Sequence, residues 1–272
     1  AELYTKTAGK EGVENCSVHD LLKVYELKTS IGTVPIGIGV CEDLWKDDYA
    51  LNPAEILAKK GAKLLIAISA SPWGWQKSRK RHQIIKKLIG EIKVPIVYVN
   101  NTGCQNNGDN IINFDGASTV YDKNGNMVHE LESYFSGTQD VTWQENLKPI
   151  QDKNQDDTKE LYLGIRTAVK SMFDAIPEQK RQVVIGLSGG VDSATMAGLM
   201  VDILGPRRVH LINMPYEYSD PNVQNIAKKI ASSLGTTLEI KPIKEIVEAI
   251  CQRTGLEKGT LAHQNIQARA RM

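Results

Sequence analysis

The sequence predicts an α/β protein built from two successive units, each on a largely parallel sheet. Three observations predict it. Short apolar runs without alternation recur along the chain, as expected of strands buried on both faces. Amphipathic helical patterns separate them. Near the middle, a polar and weakly periodic stretch divides one such series from the next.

The first series begins at "VPIGIGV" (34–40), a continuous apolar run read as a buried strand. In "NPAEILAKKG" (52–61) a Pro stands near the start of a short helix and a Gly at its end. A second buried strand, "AKLLIAIS" (62–69), leads to the amphipathic helix "QKSRKRHQIIKKLIGEIK" (76–93) and a third strand, "PIVYVN" (95–100). The rhythm then changes. "NFDGASTVYDKNGNMVHELE" (113–132) alternates apolar and polar residues around an Asn-Gly pair, the signature of a hairpin. "TWQENLKPIQDKNQDDTKE" (142–160) reads as linker. After it, helix 161–176, strand 182–187, helix 192–204, strand 208–214, helix 222–235 and a short strand in 237–243 follow in turn. The last thirty residues read mainly as helix.

Composition sets bounds. The 272 residues are 41% hydrophobic and 24% charged with a net charge of +1, so neither a nucleic-acid binder nor a membrane-surface protein is expected. No apolar run approaches the ~20 residues needed to span a bilayer. The first residues lack the apolar core of a signal peptide. Cys16, Cys41, Cys104 and Cys251 show no close pairing and no metal-ligand spacing, which fits a reducing cytoplasm. The chain has no starting Met and stops inside a helical pattern, so a fragment lacking both ends is expected. The run "KSRKRHQIIKK" is the strongest basic patch and reads as the exposed face of its helix, with His82 solvated.

The loop after strand 182–187 carries chemistry. Gly186, Leu187, Ser188, Gly189, Gly190, Val191, Asp192 and Ser193 begin and end as a Walker A loop does. Its sixth and seventh positions, however, hold Val191 and Asp192 in place of Gly and Lys. Nor does a dinucleotide G-x-G-x-x-G pattern fit, because Ser188 occupies its second Gly position. The loop remains an anion site on physical grounds. Gly189 and Gly190 allow close backbone approach, the following helix offers free N–H groups, and Ser188 and Ser193 add hydroxyls. Asp192 would repel a phosphate unless a cation lay between them, which suggests Mg²⁺ with Asp192 as ligand. Such a loop suits the pyrophosphate that leaves when ATP reacts at its α-phosphate. The plain alternative is a tight strand-to-helix turn capped by Asp and Ser.

"SGGVDSA" (188–194) resembles the signature of the N-type ATP pyrophosphatases. "INMPYEYS" (212–219) and "HQNIQARARM" (263–272) resemble segments of the NAD synthetases within that group. The resemblance implies that Gly186 to Ser193 and Met214 bind ATP and that Asn265 and Arg269 lie near the deamido dinucleotide or ATP. On physics alone, a helix with two arginines is a solvated face.

Upstream, "GIGVCEDLW" (37–45) places Cys41 at the end of a buried strand, where ligand and catalytic groups gather in α/β sheets. Alone, such a cysteine is a small buried hydrophobe. However, "CED", "SASPWGWQKSRKR" (69–81) and "YVNNTGCQNNGDNIINFDGAS" (98–118) resemble nitrilase-type amidases. The order of the two segments resembles the glutamine-dependent NAD synthetases. That family implies a partial nitrilase-like αββα sandwich over 1–141, a linker over 142–158, and part of a Rossmann-like ATP pyrophosphatase domain over 159–272. It implies Cys41 as the nucleophile on the glutamine amide, with Glu42, Ser71 and Lys77 holding the amino-acid part. The backbone N–H of Glu42 is also a plausible oxyanion donor. The family's general-base Glu and its Lys come from upstream motifs. Here Glu2, Glu11, Glu14, Lys6 and Lys10 precede Cys41 outside that motif context, and neither role is assigned.

The activity implied is ATP-dependent amidation of nicotinic acid adenine dinucleotide to NAD, with Mg²⁺ and with ammonia from glutamine. Alternatives are another ligase of the same ATP-loop group, or a catalytically incomplete fragment that kept the fold. A homo-oligomer is expected of the full-length form. Trp73 and Trp75 line the glutamine pocket or pack its rim. Asp115 is expected to accept backbone hydrogen bonds in a turn.

Overall fold

The computed structural model describes residues 18–30, 32–45, 49–106, 108–142, 147–150, 156–217 and 221–272. Glu2, Lys6, Lys10, Glu11, Glu14, Cys16 and Ser219 lie outside them, as does part of the expected linker. Two compact units divide at Ala168/Val169.

In the first unit, a short helix α1 (Val18–Leu21) precedes strands β1 (Val24–Thr29) and β2 (Gly32–Val40). Next come α2 (Pro53–Lys59), β3 (Leu64–Ser69), α3 (Lys77–Ile92) and β4 (Ile96–Asn100). Strands β5 (Thr102–Asn106), β6 (Ile111–Asp115), β7 (Thr119–Tyr121) and β8 (Met127–Glu130) complete its sheets. The main sheet runs β1-β2-β3-β4-β7-β8, and β5 pairs with β6 in a separate ribbon. Strands β2, β3 and β4 are parallel, with Val40 opposite Ile68 and Ser69 opposite Asn100, so their carboxyl ends lie side by side.

Local chemistry accounts for the elements. Asn52 caps α2 through Glu55 N at 3.2 Å, and Pro53 occupies its first turn. Asn124 and Gly125 turn β7 into β8. Helix α3 sends Ile85, Leu88 and Ile89 into a core with Leu57, Leu65, Ala67, Ile96, Tyr98 and Tyr121. Each such fully buried aliphatic side chain contributes about 1.5–3 kcal/mol. The opposite face of the same sheet is apolar and exposed at Tyr25, Leu27, Ile38, Val40, Ile68 and Val99. An αββα sandwich lays a second sheet on a face of this kind.

Two readings of the basic helix are corrected. Arg81 is 2% exposed, because it falls on the stripe of Ile85, Leu88 and Ile89 and ends on Asp115. His82 is not solvated. It contacts Tyr121 Oη through Nδ1, and its Nε2 lies 3.4 Å from a Glu130 carboxylate oxygen. Burial holds the Tyr121 phenol well above its ordinary range. Asp115, expected in a turn, is instead the buried partner of Arg81.

Helix α4 (Asp157–Asp174) begins four residues before the expected start, with Asp157 and Glu160 favouring its N-terminal turn. Within the first unit, Gly164 of this helix lies against the Trp73 ring, and Asn113 Nδ2 donates to Gly164 O at 2.8 Å.

The second unit contains a three-stranded parallel sheet in the order β11-β10-β9. Its elements are β9 (Val183–Gly186), α5 (Val191–Leu204), β10 (Val209–Asn213), α6 (Pro221–Ser233), β11 (Leu238–Ile240), α7 (Lys244–Thr254) and α8 (Leu261–Arg269). Leu187, Ala197, Met200, Val209, Leu211, Ala227 and Ala231 form its core, joined by Val169 and Phe173. A smaller cluster of Tyr216, Ile243, Val247 and Cys251 takes in Met214, Ile266 and Ala270.

Candidate functional site

Each unit gathers chemistry at the carboxyl edge of its parallel strands, the place where α/β sheets open a crevice.

In the first unit, β2 ends at Val40 and the chain turns sharply at Cys41, whose φ is +46°. A side-chain-bearing residue rarely adopts this left-handed conformation, so the surrounding structure must hold it there. The 3-10 turn Cys41–Leu44 does so from both ends. Val40 N donates to Asp43 Oδ2 at 2.8 Å, and Leu44 is buried in the core. The Cys41 thiol is half-buried and outside any disulfide. Glu42 is exposed, and Tyr49 Oη donates to its Oε1 at 3.3 Å.

Ser71 follows β3 and is buried, with its N–H donating to Asn100 Oδ1 at 3.0 Å. Lys77 opens α3, a helix packed against the Cys41 turn. Its Nζ lies 5.8 Å from the centre of the Trp45 ring, beside Lys80 at 5.7 Å. These are cation–π distances, and they keep a positive charge at the turn. The structure thus brings Cys41, Glu42 and Lys77 to one turn and its packing helix. It places Ser71 on the adjacent strand end. Trp73 serves as packing: its Nε1 donates to Glu160 Oε1 at 3.3 Å while its ring covers Gly164. Burial raises the pKa of that glutamate, partly offset by the indole N–H. Trp75 is exposed.

Behind these residues lies a buried polar network that sequence reasoning missed. Arg81 reaches Asp115 with Nη1 at 3.3 Å and Nη2 at 2.7 Å. Burial pushes the guanidinium pKa down, and the attraction of Asp115 more than offsets it, so the group is held charged. Asn100 Nδ2 donates to Asp115 Oδ1 at 3.1 Å and to Gly116 O at 3.0 Å. The helical spacing of Arg81 with Ile85 and Leu88 was a readable signal. The pairing with Asp115 was not, because it joins residues far apart in the chain.

In the second unit, the loop after β9 folds on itself. Gly189 takes a φ of +92°, which glycine adopts without strain. Gly190 N donates to Ser188 Oγ at 3.2 Å, Ser193 Oγ donates to Gly190 O at 3.0 Å, and the two hydroxyls lie 3.1 Å apart. Helix α5 then starts at Val191, with Asp192 exposed in its first turn. The first N–H groups of any helix lack intrahelical acceptors, so this turn presents donors to an anion. Leu187 N bonds Ile212 O at 2.8 Å, and Asn213 Nδ2 donates to Leu187 O at 2.6 Å, which ties the loop to β10.

Met214 links the remaining motifs. Its methyl sits 3.2 Å from where a side chain on Gly186 would begin, so a larger residue there would push this flexible methyl aside by a few tenths of an ångström. Its carbonyl accepts from Arg271 Nε at 3.1 Å, and it packs with Ile266 and Ala270 around α8. The end of α8 is therefore tied to the segment that follows β10. Asn265 and Arg269, one turn apart on that helix, are exposed. His263 is buried, with Nε2 3.1 Å from Tyr216 Oη.

Asp192 offers one exposed carboxylate at this loop, the donor type that Mg²⁺ takes together with phosphate oxygens. Among the described residues, no cluster of three or more His, Cys, Asp or Glu would hold a metal alone. No described helix is long and apolar enough to cross a membrane.

Residues 163–272 match the family model described as NAD synthase. The chain is 30% identical over 258 residues to the glutamine-dependent NAD(+) synthetase of Synechocystis sp., an alignment covering 88% of this chain and 44% of that protein. Identity to the Rhodobacter capsulatus protein of the same name is 30% over 257 residues, covering 89% and 44%. Among solved structures, the glutamine-dependent NAD+ synthetase from Acinetobacter baumannii, in complex with ADP, superposes with a TM-score of 0.77 at 25% identity. It covers 94% of this chain and 49% of its own. The chain thus spans less than half the length of each of these three proteins.

Proposed function

We propose that this chain, which resembles the glutamine-dependent NAD synthetases through both of its units, serves a carbon–nitrogen ligase that converts nicotinic acid adenine dinucleotide to NAD. In this reading Cys41 Sγ attacks the side-chain carbonyl of glutamine, with Glu42, Ser71 and Lys77 holding the amino acid. Ammonia leaves, and water cleaves the resulting thioester to glutamate. In the second unit the dinucleotide's carboxylate attacks the α-phosphorus of ATP. Pyrophosphate leaves into the Gly186–Ser193 loop, and ammonia then displaces AMP from the acyl adenylate. Met214 contacts the adenine, and Asn265 and Arg269 face the dinucleotide. Mg²⁺ held by Asp192 would neutralise phosphate charge. A reducing cytoplasm keeps the Cys41 thiol free.

The observation that supports this best is the pairing in one chain of two different carboxyl-edge sites. One is a thiol on a strained turn. The other is a serine–glycine loop without lysine, opening a helix.

The test is the fate of ATP. Incubated with the protein, Mg²⁺, the deamido dinucleotide and ammonium, ATP should yield AMP and pyrophosphate. Asp192→Asn should cut that yield at least ~10-fold and weaken its dependence on Mg²⁺, the loss of about one charge-assisted contact. ADP and phosphate as products would overturn the reading, and so would an Mg²⁺ response unchanged in Asp192→Asn.

A further inference from the structure

Three strand-end segments meet around the side chain of Asn100. Its own strand β4 ends there, and Asn101 N donates back to Ser69 O at 2.9 Å, joining it to β3. Its Nδ2 donates to Asp115 Oδ1 and to Gly116 O, both acceptors, at 3.1 and 3.0 Å. Those two acceptors fix which end of the amide points where. Oδ1 must therefore face the other way, and there it accepts the Ser71 N–H at 3.0 Å.

The arrangement is rigid by construction. Asn100 is 8% exposed, Asp115 3%, Ser71 3% and Arg81 2%. Asp115 cannot turn toward another donor without abandoning Arg81, whose two contacts hold it at 3.3 and 2.7 Å. The Arg81 guanidinium in turn lies 5.3 Å from the Tyr98 ring centre. A buried ion pair stabilises a fold weakly, since desolvation offsets most of its attraction, whereas it fixes orientation well.

We infer that Asn100 is a positioning residue. Held by the Arg81–Asp115 pair, it sets the backbone of Ser71 and so the segment between β3 and Lys77 that would grip the amino-acid part of glutamine. The inference rests on the glutaminase reading above. Asn100 touches no reacting atom. It acts on the thiol's substrate by holding the loop, not by changing the thiol.

The test separates recognition from thiol reactivity. Cys41 is alkylated in parallel by a glutamine analogue whose side-chain amide is replaced by a chloromethyl ketone, and by iodoacetamide. In the unsubstituted protein, free glutamine should protect Cys41 from the analogue. In Asn100→Leu, labelling by the analogue should fall roughly 10-fold, as expected for loss of one buried hydrogen bond at a binding loop. Labelling by iodoacetamide should stay unchanged.

Asn100→Asp is the second variant and decides alone if the leucine variant does not fold. It keeps an acceptor for Ser71 but sets a carboxylate against Asp115. Its analogue-to-iodoacetamide ratio should be low near neutral pH and recover as pH falls, once the new carboxyl carries a proton to donate to Asp115. Arg81 faces this pair and stays protonated throughout, and Glu160, Tyr98 and Tyr134 also act electrostatically on Asp115.

Equal rates of analogue labelling in variant and parent would overturn the inference. So would a parallel fall with both reagents, which would mean a merely structural role. Absence of glutamine protection in the unsubstituted protein would overturn the glutaminase reading itself, and that result is visible before any variant is made.

Discussion

Single residues differ in how far the sequence betrays them. The place of Cys41 at the end of a strand was legible from the clean apolar run before it, although its left-handed backbone was not. Arg81 looked like one charge of a basic helix face. Its spacing with Ile85, Leu88 and Ile89 put it on the apolar stripe, and a charge there requires a buried partner. No local pattern names that partner, because Asp115 is brought in by tertiary folding. The energetic consequence is testable. Arg81→Met leaves Asp115 buried and unpaired and should cost about 3–5 kcal/mol in chemical denaturation. Adding Asp115→Leu should restore at least half of that. A double variant no more stable than the single one would show that the pair is not the unit of cost.

At the scale of elements, strands β2, β3, β4, β9 and β10 and the helices between them were readable from continuous apolar runs and 3.6-residue spacing. Strand β1 was missed, since it is mostly exposed and pairs antiparallel at the sheet edge. The expected hairpin was found between β7 and β8, but Ile111–Asp115 pairs with Thr102–Asn106 instead of joining it. Alternation fixes which face a residue takes, not which strand it pairs with. Helix α4 also starts earlier than expected, inside a stretch read as linker. Its Gly164 has a specific reason. A side chain there would begin 2.7 Å from the Trp73 ring, which is itself anchored to Glu160. Alanine gains about 1 kcal/mol of helix propensity over glycine. Gly164→Ala should nonetheless lower stability by roughly 1–2 kcal/mol, because the ring must move. Tryptophan emission should shift with it. A stabilised variant with unchanged emission would show that helix and ring are not held in contact.

For the whole molecule, the sequence conveyed α/β architecture on parallel strands, and each unit has them. The division was harder to place, because the contacts change from one unit to the other at Ala168/Val169, within a helix and not in a polar loop. The main sheet of the first unit packs helices on one face, and its other face carries exposed Tyr, Leu, Ile and Val side chains. The proposed division of labour makes Cys41 the source of nitrogen and the Gly186–Ser193 loop the place where ATP is spent. The most direct measurement is isotopic. The protein is supplied with glutamine labelled with ¹⁵N at its side-chain amide, unlabelled ammonium, ATP, Mg²⁺ and the deamido dinucleotide, and the NAD formed is weighed by mass spectrometry. The unsubstituted protein should place ¹⁵N in the carboxamide of NAD. Cys41→Ala should still form NAD, with unlabelled nitrogen alone. Label persisting in the NAD made by Cys41→Ala would contradict the assignment of the thiol and with it the account of two coupled sites.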